Sequence, residues 1–185
     1  LRRWLHLRVF YSPKTQVDFI DAFHRYYFDS HVYEDTRWLG KKCLKYPQDL
    51  WVYQELLWEV KPDLVVETGT YEGGSAFYMA SLFDLMGHGR VLTIDIQAKP
   101  ERPEHPRITY LVASSVAEET VQKARELAKE CSRVMVILDS DHAAQHVLQE
   151  LRLYAPLVSV GSYLIVEDTA VNGHPILPDH GPGPM

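Results

Sequence analysis

Cysteine is scarce in this chain. Cys43 and Cys131 are the only two among 185 residues, too few for a disulfide framework and wrongly spaced for a thiolate metal site, so a reducing, cytoplasmic setting is expected. Long apolar runs are missing as well. The aliphatic stretch Val134 to Leu138 falls far short of the ~20 residues needed to span a bilayer. No run of Lys or Arg is longer than two and the net charge is −6, which excludes the electrostatic footprint of a nucleic-acid-binding surface. There is no initiating Met, no apolar h-region follows Leu1-Arg2-Arg3-Trp4, and the chain stops abruptly after Gly181-Pro182-Gly183-Pro184-Met185. A signal peptide is therefore not expected, and a longer native protein is.

Internal repeats and low-complexity tracts are lacking too. With 46% hydrophobic and 24% charged residues, the composition is that of a globular chain able to bury a core, and its length suits one domain. Residues 17–38 hold seven aromatics, of which Phe19, Phe23 and Tyr26 follow helical spacing. They predict a helix that packs on the core or, in a homo-oligomer, on another subunit. A second helix is expected from Pro47 and Asp49, with apolar positions at 50, 53, 57 and 60, ending before Pro62. These features divide the chain into an N-terminal helical, aromatic segment, 1–46, and a main domain, 47–185.

Beyond Pro62 short apolar runs alternate with amphipathic segments. Leu64 to Glu67, Val91 to Asp95, Ile108 to Val112, Val134 to Leu138 and Tyr163 to Val166 read as buried strands, apolar on both faces. Between them 75–86, 116–130 and 143–154 read as helices. The alternation predicts an α/β fold with a parallel sheet and helices on both faces.

In such sheets ligands gather at the carboxyl ends of the strands. The first strand ends in Glu67-Thr68-Gly69-Thr70-Tyr71-Glu72-Gly73-Gly74-Ser75 and enters a helix directly. Glycines there let the backbone turn tightly and leave N–H groups of the helix start facing a ligand. The Gly-x-Gly-x-x-Gly spacing of a dinucleotide site is not met. Asp95 closes the second strand, where a carboxylate can accept both hydroxyls of a ribose. Strand four ends in Asp139-Ser140-Asp141-His142 and strand five in Glu167-Asp168. So many carboxylates on one edge raise one another's pKa unless a cation neutralises them, and hard oxygen donors favour Mg²⁺, Mn²⁺ or Ca²⁺ over zinc. The competing reading is that some of them, Asp141 above all, cap helices.

Lys61-Pro62-Asp63-Leu64-Val65-Val66-Glu67-Thr68-Gly69-Thr70, then Gly73-Gly74-Ser75-Ala76, Leu138-Asp139-Ser140-Asp141-His142, Val166-Glu167-Asp168-Thr169 and Asn172-Gly173-His174-Pro175 together resemble the cephalosporin hydroxylase family of cephamycin biosynthesis, over about residues 38–185. The acidic residue ahead of the first glycine also looks like the first motif of class I S-adenosylmethionine methyltransferases. The resemblance implies a Rossmann-like class I methyltransferase fold. It also implies two further C-terminal strands that these residues do not supply. Members of the family include rhamnosyl O-methyltransferases.

The resemblance further implies S-adenosylmethionine held by Glu67, Gly69, Tyr71, Gly73, Gly74, Ser75 and Asp95, with Ser114 and Ser115 near the adenine. It implies Mg²⁺ held by Asp139, Glu167 and Asp168, with Asp141 competing with Asp139 as first ligand, and His142 as the base, or His174 in its place. The activity it implies is Mg²⁺-dependent O-methylation of a small-molecule hydroxyl, on a sugar or a natural product. The rivals are a non-catalytic cofactor-binding partner of a separate enzyme, and a hydroxylase-associated role. No two-His-one-carboxylate set stands at the strand ends to support the latter.

Overall fold

The computed structural model describes residues 13–169. Its elements run α1 (Pro13–Asp29), β1 (Arg37–Trp38), β2 (Lys41–Lys42), α2 (Pro47–Val60), β3 (Leu64–Thr68), α3 (Gly74–Met86), β4 (Arg90–Asp95), β5 (Ile108–Val112), α4 (Glu118–Lys129), β6 (Val134–Leu138), α5 (Ala144–Tyr154) and β7 (Leu164–Val166). Strands β1 and β2 form a small antiparallel pair, and the other five make a parallel sheet in the order β5-β4-β3-β6-β7. This is the Rossmann-like arrangement expected of the chain.

The two sheet faces are built by simple alternation along the strands. Val65, Val91, Met135 and Ile137 face one way, onto Tyr53 and Leu57 of α2 and Met79 and Phe83 of α3. Their neighbours Val66, Leu92, Ile94, Val136 and Leu138 face the other way, onto Val121 and Ala124 of α4 and Tyr154 of α5. Period-two geometry puts successive side chains on opposite faces, so a strand covered on both sides must be apolar throughout. Strands β3 and β6, buried at every position, obey this. Strands β5 and β7 depart from the expectation: the residues of β5 are half-buried or exposed and those of β7 half-buried, because among the described residues these two lie at the edges of the sheet and are covered less completely.

Helix α2 stops where Lys61 takes a left-handed conformation (φ 49°) just before Pro62, since proline disfavours helical backbone in the residue ahead of it. Helix α1 forms, but not on the expected face. Phe19 and Tyr26 are largely exposed, and Tyr27 is the buried ring, stacked on Tyr46 with ring centres 4.4 Å apart. The inward stripe is His24, Tyr27 and Phe28, one step round from the expected stripe at Phe19, Phe23 and Tyr26.

Strand order reverses between β3 and β6, where Thr68 and Leu138 are register partners. A crevice opens past the carboxyl ends of strands at such a point. Among the described residues no helix is long and apolar enough to cross a membrane.

Candidate functional site

Past β3 the chain turns at Gly69 (φ 88°), where an added Cβ would stand 1.8 Å from the Asp139 carbonyl oxygen. Glycine is required there because no side chain fits between the two strand ends. At Gly74, the start of α3, a Cβ would meet the Lys42 carbonyl at 2.0 Å, so the strap after β2 lies directly on the loop. Beneath the loop Glu67 is fully buried. It accepts hydrogen bonds from Ser75 Oγ at 2.5 Å and Thr93 Oγ1 at 2.5 Å. Burial pushes its carboxyl up to about 7, against the pull of those hydroxyls and of Lys45. Glu67 thus stands under the loop and ties it to β4.

A cavity of about 460 Å³ occupies the crevice, with Gly69, Tyr71, Asp95, Ser114, Ser115 and Asp139 in its wall. Gly74 and Ser75 line a separate small cavity together with Lys42 and Lys45. Gly73 takes φ 79°, with room for a Cβ limited by Tyr110 Oη at 2.9 Å. Asp95 Oδ2 accepts from the Tyr71 backbone N–H at 2.7 Å, and Oδ1 accepts from the Gln97 N–H at 2.9 Å. Arg102, almost fully buried, adds an ion pair to Asp95 Oδ2 at 3.2 Å, and its Nε donates to the Tyr71 carbonyl at 2.9 Å. Ser115 Oγ lies 3.3 Å from His146 Nε2, and the Ser115 carbonyl accepts from the Tyr154 hydroxyl at 2.6 Å.

On the opposite wall, Asp139, His142 and Asp168 place potential ligand atoms within 4.8 Å of one another. His142 Nε2 stands 3.1 Å from Asp168 Oδ2. Burial raises the Asp168 carboxyl above its usual range, and the Asp139 charge adds to this. The other two expected carboxylates are engaged by the chain itself. Asp141 Oδ1 accepts from the Ala143 N–H at 2.9 Å, a turn just ahead of α5 rather than the expected helix cap, since Ala143 holds the cap position and no side chain caps the helix. Glu167 accepts from the Tyr53 hydroxyl and lies 3.3 Å from Lys45 Nζ. Asp168 has φ 53°, a left-handed turn directly after β7. His174 lies outside the described residues.

Sequence reasoning missed Lys45, Tyr53 and Arg102. Lys45 Nζ is 2.6 Å from Asp139 Oδ2, and its side chain is only 6% exposed, so it sits between the ends of β6 and β7. A signal for the first two was present. Asp49 and Tyr53 are four apart on α2 and so share a face, and Lys45 lies four residues before Asp49, two ahead of the helix start. With Tyr46 and Glu167 they border a second cavity of about 270 Å³ or stand beside it. Asp49 is raised by its burial and by Glu167.

Residues 30–185 match the family described as Rhamnosyl O-methyltransferase/CmcI. Over 182 residues the chain is 40% identical to the rhamnosyl O-methyltransferase of Mycobacterium tuberculosis, an alignment covering 96% of this chain and 74% of that protein. The rhamnosyl O-methyltransferase of Mycobacterium leprae is 39% identical over 178 residues, 94% of this chain and 77% of the relative. Among solved structures, an apo CmcI superposes with a TM-score of 0.60 at 28% identity, covering 78% of this chain and 62% of that one. A CmcI structure described as Mg-SAM gives 0.64 at 25% identity, with coverages of 79% and 62%. The chain therefore spans less than two thirds of the CmcI chains it matches. MycE from the mycinamycin pathway, in complex with Mg and SAH, shares the fold at 22% identity, with a TM-score of 0.53 over 68% of this chain and 33% of that one.

Proposed function

Because the chain belongs to the rhamnosyl O-methyltransferase/CmcI family, we propose that it is an O-methyltransferase that moves the methyl group of S-adenosylmethionine to a hydroxyl of a small molecule, a sugar or a natural product, with Mg²⁺ as the attending cation. The observation that carries this reading is one crevice with two chemically different walls. The glycine loop and Asp95 stand on one, and the Asp139, His142 and Asp168 cluster on the other.

The residues fit both groups. Asp95 has a lone pair left on Oδ1 after its bond to Gln97, suited to a ribose hydroxyl, and Ser114 and Ser115 line the same cavity where the adenine would lie. Asp139 and Asp168 are hard oxygen donors of the kind Mg²⁺ takes. Burial raises the carboxyl of Asp168, and the neighbouring Asp139 charge adds to it, so a bound cation would favour its ionised form. Asp141 and Glu167 stand at its border, already hydrogen-bonded.

When bound, the cofactor supplies an electrophilic methyl and the cation supplies charge that favours an alkoxide. The proton is the chain's own task. An ionised Asp168 can only accept, so it fixes the His142 proton on Nε2 and leaves the lone pair at Nδ1 to take the proton of the acceptor hydroxyl. The grouping of one His with two carboxylates differs from the two-His-one-carboxylate set of non-haem iron oxygenases, which favours methyl transfer over hydroxylation.

The test combines calorimetry of S-adenosylhomocysteine, with and without Mg²⁺, and a labelled-methyl transfer assay on small rhamnosides and other polyols. Binding together with transfer is expected. Binding without transfer to any acceptor would turn the reading toward a cofactor-binding partner of a separate enzyme, and absence of binding would overturn it.

A further inference from the structure

We propose that Lys45 is the resident cation of the acidic crevice: its ammonium neutralises Asp139 and Glu167 in the metal-free protein and competes with the divalent ion for the same carboxylate oxygens. The inference rests on the metal reading given above and adds to it a positioning residue that sets how tightly the ion is held.

Lys45 Nζ lies 2.6 Å from Asp139 Oδ2 and 3.3 Å from Glu167 Oε1, with its side chain only 6% exposed. A buried ammonium is costly to desolvate unless carboxylates surround it, and here it touches the ends of two neighbouring strands at once. The Tyr53 hydroxyl donates to the same Glu167 oxygen. These contacts leave Asp139, His142 and Asp168 as the group whose ligand atoms converge. Glu167, which adjoins Asp168 in sequence, is drawn toward Lys45.

The ammonium is also held in place by its backbone. Between β2 and α2 the Cys43 N–H donates to the Thr36 carbonyl at 2.9 Å, and the Lys45 N–H donates to the Cys43 carbonyl at 2.9 Å. The Cys43 side chain is buried, and the strap presses on Gly74 closely enough that no Cβ would fit. The strap thus fixes the point from which the Lys45 stem reaches the crevice, and a divalent ion meets a positive charge already installed and an Asp139 oxygen already spent. Both effects weaken its binding. The arrangement lets four neighbouring carboxylates (Glu67, Asp139, Glu167 and Asp168) coexist before any ion arrives.

The experiment is Mg²⁺ titration of the full chain by calorimetry, with thermal melting in chelator and in excess Mg²⁺, on wild type, Lys45→Met, Lys45→Gln and Lys45→Arg. Loss of the charge should tighten Mg²⁺ binding at least tenfold, lower the melting temperature in chelator, and enlarge the rise that Mg²⁺ restores. Lys45→Arg should stay within about threefold of wild type. Equal or weaker Mg²⁺ binding by folded Met and Gln variants overturns the inference and leaves the metal reading standing. Absence of Mg²⁺ binding in wild type and variants alike sinks the metal reading itself. Should both neutral variants unfold in chelator, recovery on adding Mg²⁺ supports the inference, because one cation replaces the other; failure to recover counts against it.

Discussion

On the β4 side of the crevice each oxygen of Asp95 has a partner from its own neighbourhood: Tyr71, Gln97 and Arg102. On the β6 and β7 side, Asp139, Glu167 and Asp168 share one ammonium and one imidazole, and the ammonium comes from a segment 94 residues away. The first wall is hydrogen-bonded before any ligand arrives and can receive a neutral ribose with little rearrangement. The second holds more negative charge than it can balance, which suits a site that takes up a cation and handles a proton. Low dielectric strengthens both tendencies, since a satisfied polar network grows rigid and an unsatisfied charge becomes costly.

The sharpest way to test this contrast is to remove the proton acceptor from the acidic wall and leave the cofactor wall intact. His142→Ala should lose roughly 10²–10⁴-fold in turnover, the usual worth of a general base, with S-adenosylhomocysteine affinity within about twofold of wild type. Single-turnover methyl transfer and calorimetry on the same preparation give both numbers. Near-full turnover in the variant would move the base elsewhere, with His174 the next residue to change.

A second test probes the floor that joins the two walls. Glu67 is pushed up to about 7 from an ordinary value of 4.5, chiefly by burial, so the folded protein binds this proton more tightly than the unfolded chain does. Its stabilisation is complete below pH of about 4.5 and is lost as pH rises through about 7, a change of roughly 3 kcal/mol over that window. Denaturant melts across the window should show that slope in wild type and not in Glu67→Gln. An identical slope in both would assign the proton to another group.

How far each wall could be read in advance follows from its construction. The glycine loop, Asp95 and the alternating strands were legible because their causes are local: tight turns need glycine, and doubly covered strands need apolar residues throughout. The strands β3 and β6 fall where the apolar runs do, and the expected edges of α2, α3 and α5 differ from the observed ones by one or two residues. The acidic residues were legible as types at strand ends, but their division of labour was not. That Glu167 turns to Lys45 and Tyr53 depends on which distant segment lies alongside, and no spacing rule carries that information, whereas the bond of Asp141 to the Ala143 N–H is local, two residues along the chain. The face of α1 was misjudged for a related reason. Helical periodicity names several stripes in so aromatic a segment, and only contact with Tyr46 selects among them.

The smallest expected effect lies on the wall whose hydrogen bonds are already made. Asp95→Ala removes the acceptor for a ribose hydroxyl and also for the N–H groups of Tyr71 and Gln97, and it leaves the Arg102 guanidinium without its carboxylate. S-adenosylhomocysteine should bind at least tenfold more weakly, or ~1.4 kcal/mol, the scale of a charge-assisted hydrogen bond. Asp95→Asn separates the two contributions, because its amide oxygen can still accept while the charge is gone. If the wall works by geometry, the Asn variant should lie between wild type and Ala, and Arg102→Lys, which keeps the charge but loses the fork to Tyr71 and Asp95, should weaken binding by only a few fold. Mg²⁺ affinity should not move in any of the three, since the cation belongs to the other wall. Calorimetry with each ligand in turn reads both quantities, and a matching loss of Mg²⁺ affinity in Asp95→Ala would show that the two walls are one coupled site.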